Sequence, residues 1–190
     1  MPSSGKLILA SASPRRREIL TQAGIPFTVM AAGVAEQILS GESPDDYVRR
    51  LAREKAAVVR APRDAVVLGA DTVVVLDEHI LEKPAGADDA RRMLRMLSGR
   101  EHEVITGICL RHRGGAVVDS ETTRVRFVSL SEEEIAAYVA TEEPMGKAGA
   151  YAIQGRASRF VDRIEGCYFN VVGLPVARVY QHLKALGWPG

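Results

Sequence analysis

Aromatic residues make up only 5% of this 190-residue chain, and its formal net charge is +1. Proteins that grip nucleic acid need an excess of basic charge and, for single strands, stacking surfaces, so both scarcities argue against such a partner. Near neutrality also removes any global pull towards anionic membranes, and anion binding, if present, must be local. The two cysteines, Cys109 and Cys167, lie in apolar, strand-like stretches. They read as buried thiols of a reducing cytoplasm, not as a disulfide. His79, His102, His112 and His182 have no ligand spacing, and no cysteine–histidine zinc pattern exists. No apolar run approaches the ~20 residues of a membrane span, so no membrane partner is expected. The opening "MPSSGK" is followed by no signal-peptide core. Repeats and low-complexity tracts are missing too.

What is present is enough for a real core: 46% of the residues are apolar against 26% charged. The length suits one domain, 1–190, alone or with a second lobe about a cleft. The patterning predicts strand 6–10, helix 14–23, strand 26–31, helix 44–60, strand 65–76, hairpin strand 79–82 and helix 87–98. Long strands follow near 102–112 and 116–129, then helix 131–141, strands near 151–153, 159–163 and 168–172, and helix 175–186. Alternating helices and strands make the class α/β. The "RGGA" turn at 113–116 joins two long strands and makes part of the sheet antiparallel. A mixed sheet flanked by helices is the expected architecture.

The stretch "LILASASPRRREIL", residues 7–20, reads as a buried strand, a polar elbow and a helix. Ser13 stands at the N-cap and Pro14 at the first helical position. Arg15, Arg16 and Arg17 then crowd a helix end that prefers acids by ~0.3–1 kcal/mol per charge. Two readings stand at this point. An anion binds at the helix start, held by backbone N–H groups, serine hydroxyls and guanidinium forks, or the arginines are simply solvated. Helix 44–60 obeys the dipole rule, with Ser43 as cap and Asp45 and Asp46 in its first turn. Lys55 falls on its apolar face, where it snorkels to water or reaches into a cleft to meet an anion.

The strongest anomaly is "AVVLGADTVVVL", residues 65–76. It is a nearly continuous apolar run, as for a strand buried on both faces, yet Asp71 and Thr72 sit inside it. A buried carboxylate without a partner is costly. At a strand end facing a polar cleft it can bind a divalent ion or take a proton from water. Gly69 would let the backbone bend or a ligand approach. Lys83, in "ILEKP", is biased to an extended conformation by Pro84 and either projects an ammonium from the following hairpin towards Asp71 or is a solvated loop lysine. Glu36, in "VAEQ", is a candidate second acid for a metal. The glycine-rich "GKAGAYAIQG", 146–155, lacks Walker A spacing and is no P-loop. Within it Lys147 reads either as a phosphate contact or as a solvated surface lysine. Gln154 offers a donor and an acceptor side by side, the pattern that reads a base edge, although by itself it reads at least as well as a turn glutamine bonded to backbone. Asn170 could line a cleft or simply serve a turn. Cations with a helix start suit phosphates, and acids without thiolates or histidines suit Mg²⁺ or Mn²⁺. Metal-assisted attack of water on a phosphoryl group follows as the expected reaction.

The segments "LILASASPRRREIL", "LGADTVVVLDEHILEKP", "RMLSGREHEVITG" and "GKAGAYAIQG…VDRIEGCYFNVVGLP" resemble the Maf family of nucleoside triphosphate pyrophosphatases over essentially the whole chain. The glutamine-containing loop is similar to the branch acting on dTTP and UTP. That resemblance implies cleavage between the α and β phosphates, a divalent cation, an inosine-triphosphatase-like fold with a central cleft, a cytoplasmic address and a homodimer. It further implies that Asp71 is the proton acceptor, that Arg15, Thr72 and Gln154 set specificity, and that Ser11, Arg16, Glu36, Lys55 and Lys83 belong to the site. Ala35 stands where an acid is common and Cys167 where serine is common. A nucleotide sensor linked to cell division, without turnover, is the rival expectation.

Overall fold

The computed structural model describes residues 6–31 and 33–189. Apart from Lys6, the opening "MPSSGK" therefore lies outside the described residues. Along the chain run β1 (Leu7–Leu9), α1 (Pro14–Gln22), β2 (Thr28–Val29), α2 (Pro44–Val58), β3 (Val66–Leu76), β4 (His79–Leu81), α3 (Ala87–Leu97), β5 (Glu101–His112) and β6 (Gly115–Phe127). Then come α4 (Glu132–Val139), 3₁₀ turns at Ala148–Ala150 and Arg156–Phe160, β7 (Val161–Glu165), α5 (Tyr168–Val172) and α6 (Val176–Ala185). The strands form one seven-stranded sheet in the order β2-β1-β3-β5-β6-β7, with β4 paired to β3. β1 is parallel to β2 and β3, whereas β4 on β3 and β7 on β6 are antiparallel. The expected mixed α/β sheet is thus what forms. Parallel strands need a crossover, and α1, β2 and α2 supply it between β1 and β3.

By internal packing the chain divides into two compact units, one of residues 1–71, 106–121 and 173–190, the other of 72–105 and 122–172. In the first, Ile8, Ala10, Ala52, Ala56, Val59, Ala65, Val67 and Cys109 form an apolar cluster. Helix α2 lies against the strands at backbone contact. A Cβ on Gly69 would stand 2.1 Å from the Ala52 carbonyl oxygen, and one on Gly107 would stand 2.3 Å from that of Val48. Gly69 is therefore where a helix approaches, not a bend or a ligand contact. The exposed end of α2 is closed by Arg111, whose guanidinium donates to the carbonyls of Ala56 at 2.9 Å and Val59 at 2.7 Å.

The second unit is built on α3, whose Ala90, Met93, Leu94 and Leu97 face a core with Val74, Phe127, Tyr138, Tyr151 and Phe160. Arg91, Arg92 and Arg95 point outwards into ion pairs with Asp88, Asp89 and Glu132, as a solvated face should. Helix α4 opens with the expected capping box of Ser131 and Glu134. His102 is buried, with one ring nitrogen 2.8 Å from the Tyr151 hydroxyl. It also makes edge contacts with the rings of Phe127 and Tyr151.

Three strand expectations fail here. The 26–31 strand shrinks to Thr28–Val29. Residues 151–153 are no strand, because Gly149 and Ala150 are both left-handed and the Ala152 N–H goes to the Tyr138 hydroxyl. Residues 168–172 are a helical turn, α5. That turn points Asn170 inward, where its amide donates to the Val104 carbonyl and to Thr123 Oγ1, each at 2.9 Å. Those tertiary bonds outweigh the local β propensity of Tyr, Phe and Val. The expectation of two buried thiols is half right: Cys109 is buried and Cys167 half-buried, and both are free. Burial pushes the Cys109 thiol up to about 11, against the pull of Arg53 and Arg111.

Two outcomes test this packing. Gly69→Ala should lower unfolding free energy in urea by about 3 kcal/mol, because the obstructing atoms are helix backbone that cannot swing aside. His102 is held neutral by desolvation, its pKa pulled down to about 3 from 6.5. Between those values the unfolded chain binds the proton and the folded one does not. Stability is then complete above pH 6.5 and falls as the pH drops, by on the order of 3 kcal/mol at pH 4. His102→Gln, which can still bond the Tyr151 hydroxyl, should flatten that acid limb in urea melts at pH 7, 5.5 and 4.

Candidate active site

The first unit gathers seven of the candidate residues. Strand β1 delivers the chain into the elbow at Ala10, whose N–H bonds the Leu68 carbonyl of β3 at 2.8 Å. Ser13 caps α1 as expected, its hydroxyl accepting from the Arg16 N–H at 3.5 Å, and Pro14 opens the helix. The buried Ser11 hydroxyl accepts from the Ser13 N–H and from the Arg16 guanidinium, each at 3.2 Å. No acid lies in the first turn of α1.

The three arginines there separate cleanly. Arg17 is exposed and Arg15 half-buried, while Arg16 is buried. Arg16 donates from Nε to the Gly173 carbonyl and from Nη1 to the Ala70 carbonyl, both at 2.8 Å. Burial lowers its pKa, Asp71 and Glu36 raise it, and Arg15 lowers it further, which puts all four charges within one electrostatic neighbourhood. Arg15 is likewise lowered by burial, with Glu18 opposing. A cluster of partly desolvated guanidiniums at a helix N-terminus is a strong attractor for an anion.

Beside it sits the acid pair. Asp71 lies midway along the largely apolar β3, not at the expected strand end, and shares a strand face with Gly69 two residues earlier. The close seating of α2 on that face brings Lys55 within reach. Its ammonium donates at 2.6 Å to Asp71 Oδ1 and at 2.6 Å to Glu36 Oε1. The Lys55 and Asp71 side chains are only 9% and 10% exposed, so this is a buried ion pair, whereas Glu36 reaches it from the surface at 36%. The loop bearing Glu36 is tethered by Arg50. That guanidinium holds Glu42 at 2.7 and 2.8 Å and donates to the Gln37 carbonyl at 2.8 Å. The Glu42 hydrogen bond leads in raising the pKa of Arg50, with Glu54 adding to it. Arg50 escaped the sequence reading, since nothing in the spacing of an outward-facing helical arginine announces a loop tether.

The second unit holds the remaining candidates. Thr72 follows Asp71 directly and is the one β3 residue that is only half-buried. Lys83 is exposed after β4, and the carbonyl of its neighbour Glu82 accepts the Gly149 N–H at 3.2 Å. The GKAG loop therefore lies beside the segment that carries Lys83. Lys147 donates to the Glu143 carbonyl at 2.5 Å, so it also braces its own loop. Gln154 projects into solvent from a turn that follows the buried Tyr151, Ala152 and Ile153. Asn170 is a structural residue in this fold, tied down as described above.

Among the described residues, no group of three or more His, Cys, Asp or Glu side chains could hold a metal. The two carboxylates on Lys55 are hard oxygen donors, already gathered about one positive charge. Such a pair suits Mg²⁺, which takes one or two carboxylates and completes its shell with water and substrate phosphates.

Residues 6–186 match the family model described as Maf-like protein. The protein of Koribacter versatilis (strain Ellin345) named dTTP/UTP pyrophosphatase is 57% identical over 183 residues, 95% of this chain and 94% of its own length. That of Geobacillus sp. (strain WCH70), with the same name, is 52% identical over 184 residues, 96% of this chain and 99% of its own. Among solved structures, the Staphylococcus aureus Ham1 protein shares 11% identity at a TM-score of 0.45, over 64% of this chain and 71% of that one, a likeness too slight to weigh. With the elbow, the strand acid and the glutamine loop all falling inside the matched span, the chain belongs to the Maf-like protein family.

Proposed function

We propose that this protein hydrolyses dTTP and UTP to the monophosphate and pyrophosphate. The observation that carries the reading is Asp71, a carboxylate buried in an apolar strand and held with Glu36 on the Lys55 ammonium. The names of the relatives at 57% and 52% identity support the same substrates. In this reading the polyphosphate docks at the start of α1. Arg15 and the Ser13 hydroxyl meet it directly, while Ser11 and Arg16 hold the elbow in shape and Arg16 adds its charge from beneath. Water adds to the α-phosphorus, its proton passes to Asp71, and the bond from that phosphorus to the bridging oxygen breaks. Lys55 and Lys83 stabilise the charge that develops as pyrophosphate leaves. Thr72 and Lys147 complete the substrate contacts. Gln154 pairs with the O4 and N3–H edge of thymine or uracil, an edge that cytosine presents with donor and acceptor exchanged.

Glu36 and Asp71 would hold a divalent cation, Mg²⁺ or Mn²⁺, which supplies Lewis-acid polarisation of the phosphate oxygens. The reading extends to a homodimer in the cytoplasm. No helix among the described residues is long and apolar enough to cross a membrane.

Asp71→Asn should fold normally by circular dichroism yet lose pyrophosphate release from dTTP and UTP by ~10²–10⁴-fold. A screen of nucleoside triphosphates with product identification checks both bond and base. Orthophosphate as the product would refute the cleavage site, and tight binding with no product after hours would favour a sensor. The cation assignment has a readout apart from turnover. Lys55→Met leaves two carboxylates facing each other and should lose on the order of 3 kcal/mol in EDTA. Millimolar Mg²⁺ or Mn²⁺ should restore more melting temperature to this variant than to the parent, and equal shifts would remove Glu36 and Asp71 as the holders of the ion.

A further inference from the structure

We infer that Glu143 is a positioning residue that fixes base selection by locking the turn carrying Gln154, a role resting on the proposed reading of the base by that glutamine. Gln154 itself is exposed. Its turn, however, is anchored on both sides. Before it, the Ala152 N–H donates to the Tyr138 hydroxyl at 3.2 Å. After it, the Arg156 N–H donates to Glu143 Oε2 at 3.1 Å. The two anchors are one unit, because the Tyr138 hydroxyl donates to Glu143 Oε1 at 2.9 Å. The turn is closed within by the Gly155 N–H on the Ala152 carbonyl at 3.0 Å.

Space says the same as bonding. A Cβ on Gly155 would lie 2.4 Å from Glu143 Oε1 and 2.6 Å from Glu143 Cδ, so the carboxylate is packed directly on the residue after Gln154. From its backbone Glu143 also accepts the Lys147 ammonium at 2.5 Å. One glutamate thereby sets both the phosphate-side lysine and the base-side glutamine of the loop.

The loop needs such a lock. Glu142 and Ala150 hold left-handed backbone with φ of 60° and 59°, without being glycine. Residues of that kind persist only where their surroundings over-determine them. Tyr138 is a firm post for the lock. It is fully buried, its ring stands edge-on to Phe160 at 5.3 Å, and burial with the neighbouring Glu143 carboxylate keeps its hydroxyl protonated. Reading a base edge depends on placement to a fraction of an ångström, and a misplacement of about 1 Å costs on the order of 100-fold.

The test uses steady-state kinetics of the full chain on dTTP, UTP and CTP, with hydrogen exchange at the amides of 152 and 156. Glu143→Ala and Tyr138→Phe should each raise KM for dTTP and UTP by about tenfold. Saturated kcat should stay within about threefold, the preference over CTP should shrink, and both amides should exchange faster. Glu143→Gln should recover most of the loss, since its carbonyl can accept from Arg156 and its amide can donate to Tyr138. Combined with Gln154→Ala, Glu143→Ala should add little further loss of preference. Preference over CTP that survives Glu143→Ala but collapses in Gln154→Ala overturns the proposal. So does an equal loss of kcat on all nucleotides. If Gln154→Ala itself leaves the preference intact, base reading by Gln154 is what fails, and faster exchange in Glu143→Ala then shows that the lock exists without that purpose.

Discussion

Everything at the acid end of this protein depends on one ammonium. Asp71 sits in a strand whose other residues are almost all apolar and buried. An isolated carboxylate there would be neutralised or would unravel the strand. Lys55 makes the charge tolerable, and because it does so from a helix, the helix must stand at a fixed height above the strand. Two glycines set that height, Gly69 under Ala52 and Gly107 under Val48. The chain of causes runs from missing side chains to backbone contact, from backbone contact to a short reach for Lys55, and from that reach to a buried carboxylate with an ammonium 2.6 Å away. Replacing such a pair by apolar residues often stabilises a protein, so a pair held this carefully is better explained by chemistry than by stability.

The arginine elbow follows a related logic with the signs reversed. Three basic residues at a helix start look like an error in isolation. Their environments divide the work: Arg17 is solvated, Arg16 is bound to the carbonyls of Ala70 and Gly173, and Arg15 remains partly open. Arg16 thus ties the elbow to β3 one residue before Asp71. The same guanidinium that favours an anion at the helix start feels both carboxylates. Anion-attracting and cation-attracting groups are therefore held together within one compact unit.

Periodicity and capping made much of this legible. Helices α1, α2, α3 and α6 and strands β1, β3, β5 and β6 lie within two residues of where the apolar spacing and the Ser-Pro starts place them. Asp71 announced itself by breaking a hydrophobic run, and Lys55 by sitting on an apolar face. Other parts were hidden for physical reasons. The 168–172 segment has strand composition, but its fate is decided by Asn170 reaching residues 104 and 123, far off in sequence. Arg50 and Glu143 act on loops through tertiary contacts that no local spacing encodes. Gly69 gave a true signal that was attached to the wrong visitor, since a strand glycine reports close approach without saying by what.

Those hidden residues share a character. Lys55, Asp71 and Arg15 offer charge, and a sequence displays charge openly. Arg50, Glu143 and Tyr138 offer placement, which exists only once the chain is folded. Arg50 tethers the loop of Glu36, and Glu143 with Tyr138 tethers the loop of Gln154. Both tethers are charged or hydroxyl groups that bond backbone atoms of irregular segments, where no helix or strand ladder can do so. A loop that must present one side chain accurately has to import its rigidity. The polar residues that supply it are as much part of the site as the groups that would touch the substrate.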